Sequence, residues 1–178
     1  LYGIFFAKNA IRQKEACFLV EGYTDVISLY QAGVENVVAA SGTSLTIGQI
    51  RLIKRYTKNI SILFDGDVAG IKAALRGIDL ILQEEMNVKI ILLPTGEDPD
   101  SYVKQHGRTG FETYVKENSK DFVFFKTDLL LKEAENDPIK RAEAVNDIIQ
   151  TLSKIPDPIK RALYIRECSS LLQISEKI

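Results

Sequence analysis

Hydrophobic residues recur along the first part of the chain in two alternating rhythms. Short, mostly apolar runs of strand length, at Ala16–Val20, Val37–Ala40, Ile60–Phe64 and Val88–Leu93, alternate with longer stretches whose apolar positions fall at helical spacing. The first such stretch, Thr24 to Ala32, carries Val26, Ile27, Leu29 and Tyr30, and Gly33 follows where a C-cap would stand. The second runs through Ile50, Leu52, Ile53 and Tyr56 behind Thr46, a residue able to cap it. The third extends from Val68 to about Glu85, with Ile71, Ala74, Leu75, Ile78, Ile81 and Leu82 on one stripe. A fourth carries Tyr102 and Val103 behind Asp98 as cap and Pro99 in the first turn. Tyr2 to Arg12 reads as a short lead-in helix. Buried strands separated by helices predict an α/β fold with a parallel sheet of about four strands and right-handed crossovers.

From about Gly107 the strand pattern stops and amphipathic helices follow. Phe111 to Val115 reads as a short helix. Phe122, Phe125, Leu129 and Leu130 mark another, with Ser119 as its cap, and Ile139, Ala142, Val145, Ile148, Ile149 and Leu152 mark a third. Pro156 and Pro158 break the pattern before a last helix through Ile159, Ala162, Leu163, Ile165 and Leu172. The expected organisation is an α/β domain over 1–110 and a small helical bundle over 111–178.

Composition narrows the class. With 178 residues, 46% hydrophobic and 26% charged, the chain can bury a core without staples and is not a disordered segment. No apolar run approaches a membrane span and the start lacks a signal peptide's pattern, so a cytosolic protein with no membrane partner is expected. Cys17 and Cys168 sit far apart in apolar patterns and read as buried free thiols. A net charge of −1 argues against this stretch alone gripping nucleic acid, since Lys and Arg supply most such affinity. The missing initiator Met and the start in mid-pattern suggest a piece of a longer chain.

The candidate chemistry is acidic. Glu21 follows the first apolar run, Asp65 and Asp67 follow the third, and Asp98 and Asp100 follow the fourth. In a parallel sheet those positions lie along one edge, where ligands collect. Asp and Glu oxygens are hard ligands, so Mg²⁺ is the natural counterion for the Asp65/Asp67 pair, and Gly66 and Gly70 allow close backbone approach. The plainer reading of Asp65-Gly66-Asp67 is a solvated turn, since Asp and Gly are ordinary turn residues.

The runs Glu21-Gly22-Tyr23-Thr24-Asp25-Val26, Asp65-Gly66-Asp67-Val68-Ala69-Gly70 and Glu97-Asp98-Pro99-Asp100, each after a strand, resemble the TOPRIM domain of bacterial replicative DNA primases of the DnaG type. The Ser41-Gly42-Thr43-Ser44 loop sharpens the likeness. The resemblance covers roughly residues 1–110 by motif, and the helical remainder is similar in kind to the bundle closing the primase polymerase core. It implies a nucleotidyltransferase that copies single-stranded DNA into short RNA primers from ribonucleoside triphosphates, using Mg²⁺ or Mn²⁺. By position it implies Glu21 as general acid, base or ligand, Asp65 and Asp67 as the metal-binding pair, and Asp25, Asp98 and Asp100 as further metal-site acids. It also implies a replicative helicase as partner, through a domain expected to be absent from this chain.

Two rival readings set the bounds. A haloacid-dehalogenase-type phosphatase shares an apolar strand followed by Asp-x-Asp, but the Thr usual two residues after the second Asp is Ala69 here. A non-catalytic regulatory α/β domain with a divalent-ion site is the other. His106 reads as a helix-end residue. Arg51, Lys54 and Arg55 read as the solvated face of their helix, and Lys72 as a surface lysine just after the acidic loop. Thr43 and Ser44 organise a turn or meet a nucleotide. Asp98 is explained almost as well by a helix cap as by a metal.

Overall fold

Each apolar run becomes a strand where the sequence places it. The computed structural model describes residues 1–41, 45–66, 68–135 and 137–174, with backbone alone for 68–74 and 76. Its elements are α1 (Ile4–Lys14), β1 (Cys17–Val20), α2 (Tyr23–Gln31), β2 (Val37–Ala39), α3 (Ile47–Lys54), β3 (Asn59–Phe64), α4 (Val68–Gln83), β4 (Asn87–Leu92), α5 (Pro99–Asn118), β5 (Lys120–Asp121), α6 (Phe122–Ala134), α7 (Pro138–Ser153) and α8 (Pro158–Leu172). The chain divides into two compact units, Leu1–Lys120 and Asp121–Ile178.

In the first unit the strands form one sheet in the order β2-β1-β3-β4-β5. Pairs β1/β2, β1/β3 and β3/β4 are parallel, with Leu19 beside both Val38 and Ile62, and Phe64 beside Leu92. Helix α2 packs against α5, and α3 against α4. Val20, Val26, Leu29, Leu63, Ile91, Tyr102, Val103 and Phe111 form one continuous core. Helix α3 starts at a reciprocal capping box, the Gln49 amide donating to Thr46 Oγ1 and the Thr46 amide donating to Gln49 Oε1 at 2.9 Å.

The two ends of this sheet differ in chemistry. At the amino end, Asn36 Nδ2 donates to Ala16 O at 2.9 Å, Asn59 Nδ2 to Glu15 O at 2.9 Å, and Asn87 Nδ2 to Asn59 Oδ1 at 2.7 Å. Neutral amides there satisfy the chain as it enters the strands. The carboxyl end carries the acids.

Three expectations shift. Gly107 does not end its helix: with φ +64 it kinks α5, and the helix resumes beyond it. The second arm buries Phe111 completely, edge-on to Phe18 at 5.6 Å between centroids, and Tyr114 Oη donates to Leu92 O at 2.7 Å. Residues 111–120 therefore pack with the α/β unit, whose compact body runs to Lys120. Ser119 is the C-cap of α5, while Asp121 caps α6 by accepting from the Val123 amide at 2.9 Å. The sheet also gains a two-residue fifth strand, too short to show in the pattern.

In the second unit, α7 and α8 repeat one start signal, Asp at the cap and Pro in the first turn, at Asp137-Pro138 and Asp157-Pro158. Its interior holds a buried cation: Lys126 is 5% exposed and donates to Asp147 Oδ1 at 2.8 Å and Thr151 Oγ1 at 2.7 Å. Tyr164 Oη donates to Asp121 Oδ2 at 2.6 Å. Cys17 and Cys168 are buried free thiols, and burial pushes the Cys17 thiol up to about 12.

Candidate metal centre at the carboxyl edge of the sheet

The acids converge because β1 and β3 are neighbours. Glu21 directly follows β1 and Asp65 directly follows β3, so the parallel pairing of the two strands brings both residues to the same edge of the sheet. The pairing of Phe64 with Leu92 brings the turn after β4 to the same edge from the other side.

Gly66 locks that turn in place. Its amide donates to Glu97 O at 3.1 Å, and a Cβ at this position would lie 2.1 Å from Pro94 O and 2.6 Å from Thr95 Cα. The reason for glycine is steric, since the backbone of Pro94-Thr95 occupies the space any side chain would need. The loops carrying Asp65 and Asp98 thus form one packed piece.

Around it, each acid has its own environment. Asp65 is half-buried, and its carboxyl is raised to about 6, first by desolvation and then by the charges of Glu21, Asp25 and Asp98. Asp25, 8% exposed, accepts from the Gly22 amide at 3.0 Å. Desolvation raises its carboxyl; that amide opposes the rise, and Asp98, Asp100 and Glu21 add to it. Asp98 is the N-cap of α5, accepting from the Ser101 amide at 2.7 Å. Asp100 goes the opposite way: Lys104 Nζ donates to its Oδ2 at 2.7 Å, the Ser28 hydroxyl donates to its Oδ1, and these two hold its carboxyl below the usual range.

Asp67 lies outside the described residues, as do Gly42, Thr43, Ser44 and the side chain of Lys72. Among the described residues no three His, Cys, Asp or Glu side chains are gathered tightly enough to hold an ion by themselves. The donor set nonetheless has the chemistry that suits a hard divalent cation: carboxylate oxygens after adjacent strands, with the charges of Glu21, Asp25 and Asp98 adding to the rise that desolvation gives Asp65. The basic helix face is occupied elsewhere, Arg51 pairing with Glu84 at 2.9 Å and Lys54 with Glu85 at 3.9 Å. His106 stacks on Tyr102 with centroids 4.4 Å apart. Sequence reasoning missed Ser28 and Lys104. Lys104 is foreshadowed by its i,i+4 spacing from Asp100. Ser28 lies 72 positions away and leaves no local signal.

Comparison with known proteins agrees with this geometry. The Toprim-like family matches residues 18–103, and a family described as the DnaB-helicase binding domain of primase matches residues 125–177. The latter match lies on this chain's own helical unit, where the sequence reading expected no helicase-binding part. The DNA primase of Clostridium acetobutylicum is 38% identical over 181 residues, covering 99% of this chain and 29% of that protein. A solved DNA primase domain from Pseudomonas aeruginosa is 32% identical with a TM-score of 0.87, covering 99% of this chain and 56% of that one. A solved DnaG primase catalytic domain bound to single-stranded DNA is 29% identical with a TM-score of 0.83, covering 95% and 56%. The chain therefore spans less than a third of the curated relative's length.

Proposed function

The chain belongs to the bacterial DnaG-type DNA primases, and from that membership we propose that its α/β unit is the metal-binding part of a polymerase that copies single-stranded DNA into short RNA primers from ribonucleoside triphosphates. Divalent metal use belongs to the Toprim domain in general; the ions proposed here are Mg²⁺ or Mn²⁺. Such an enzyme works in the cytoplasm with the replication machinery. Among the described residues no helix is long and apolar enough to cross a membrane.

The observation that carries this reading is Asp65, half-buried at a strand end and raised first by desolvation and then by the charges of three other acids, Glu21, Asp25 and Asp98. Asp65 and Asp67 bind the ion, Glu21 adds a carboxylate from the neighbouring strand, and Asp25 stiffens the start of α2 beside it through the Gly22 amide. Asp98 caps α5 and supplies negative charge at the same edge. When bound, divalent ions neutralise the phosphate charge of an in-line displacement and align its oxygens. The residues of the chain hold acidic oxygens at fixed positions and leave the reacting phosphates to complete the coordination.

The helical unit is proposed as part of the helicase contact. Its support is the match over 125–177 together with the exposed Ile139, Ile159, Leu163 and Leu171 on the same stretch.

The test is Mn²⁺ binding followed by water-proton relaxation. Asp65→Asn and Asp67→Asn each lose most of the binding of the parent chain while staying folded, and Glu21→Gln in the longer primase abolishes primer synthesis. Unchanged Mn²⁺ binding in both Asp variants would move the metal to other residues.

A further inference from the structure

Asp100 stands with the metal-site acids in the sequence, yet it is engaged differently from the others. Both of its carboxylate oxygens have a donor, Oδ1 the Ser28 hydroxyl and Oδ2 the Lys104 ammonium at 2.7 Å. Ser28 lies on α2, one turn beyond Asp25, so the two share a helix face. Asp100 and Lys104 lie on α5, whose cap is Asp98. The two helices pack on each other, and the Ser28–Asp100 bond spans them right behind both acidic loops.

We infer that Ser28 is a positioning residue of this metal edge and that Asp100 is a clasp and not a ligand. Through Asp100, Ser28 ties the helix that begins beside Glu21 and carries Asp25 to the helix capped by Asp98, and so fixes the separation of the carboxylates on either side of Asp65. Lys104 supplies the charge that lets Asp100 remain ionised in an acidic cluster, with its oxygens turned to α2 and to its own helix. An acid already saturated by a hydroxyl and an ammonium has to give up both donors before it can meet an ion, whereas no such donor meets Asp65 among the described residues. Loosening the clasp lets α5 move relative to α2, and the cation site widens. This inference rests on the metal-site reading above.

A thermodynamic cycle on the full chain tests it, with Mn²⁺ alone as the probe. Ser28→Ala weakens Mn²⁺ binding by about five- to tenfold, and Ser28→Thr, which keeps the hydroxyl, returns it to within about twofold of the parent. Asp100→Ala weakens binding to a similar degree, and the double variant Ser28→Ala with Asp100→Ala falls no further than either single one, because both remove the same clasp. Asp100→Asn, which keeps an acceptor for Ser28, retains more affinity than Asp100→Ala and covers the case in which the alanine variant does not fold. Two results would overturn the inference. One is Mn²⁺ binding unaffected by Ser28→Ala. The other is a double variant whose loss is the product of the two single losses, which would make Asp100 a ligand in its own right. Asp65→Asn, run alongside, separates the two readings: if it too leaves binding unchanged, the metal site itself is misplaced, and if it alone abolishes binding, only the clasp is wrong.

Discussion

At the scale of single residues, Asp65 and Gly66 set opposite demands on the same loop. The Asp65 carboxyl is raised to about 6 in the folded chain, above its ordinary value of about 4 in an unfolded one. The folded state therefore favours the protonated form. The stability this gives is fully present below about pH 4 and is lost as pH rises through about 6. Asp65→Asn removes the effect, so the variant should be more stable than the parent at pH 7, by on the order of 1 kcal/mol after solvent screening, with the difference vanishing near about pH 4. Denaturant titrations at the two pH values check it; a difference that grows on acidification would contradict the sign. Gly66→Ala drives a methyl into the Pro94-Thr95 backbone and should cost about 2–4 kcal/mol, whereas Gly77→Ala, with nothing within 4 Å of its added Cβ, should gain up to about 1 kcal/mol from helix propensity. A shared midpoint for the two alanine variants would sink that account. The sequence already pointed to Gly66 as a place of close approach; what it approaches was not visible, because Pro94 meets it only through β-pairing.

Among the elements, strands were the most legible and helix ends the least. Short, mostly apolar runs such as Ile60–Phe64, too short for a helix and bounded by polar residues, read as buried strands, and the caps at Thr46 and Asp98 stand where the hydroxyl and carboxylate spacing puts them. His106 read as a helix-end residue because the glycine after it more often ends a helix than kinks one, whereas the packing of Phe111 and Tyr114 accompanies the continuation of α5. Ser28 was illegible for a different reason, since local periodicity says nothing about a partner on another helix. In the helical unit, α8 exposes Ile159 at 74% and Leu163 at 51% behind a sound cap at Asp157. Solvent-facing apolar side chains are cheap to replace in the free protein. Leu163→Asp should leave the melting temperature within a few degrees of the parent and weaken binding of the longer primase to the replicative helicase about tenfold. A pull-down or titration with the helicase reads this, and undiminished binding would remove α8 from the contact.

For the molecule as a whole, charge separates what this chain does from what it leaves to the rest of a longer primase. With a net charge of −1, it should bind single-stranded DNA weakly near physiological salt and with a shallow salt dependence, because few phosphate counterions are released. Fluorescence anisotropy across a salt series checks this; tight binding with a steep slope would reveal a basic stripe that the total conceals. The sheet gathers its carboxylates at one end, while asparagine side chains bond the chain at the other. The packing of Gly66 under Pro94 then acquires a meaning in time. Its amide, bonded to Glu97 O within a loop, should exchange its hydrogen for deuterium as slowly as amides of the neighbouring strands. An acidic edge held in this way keeps its shape, and that one slow amide is a clock for any opening of the loop.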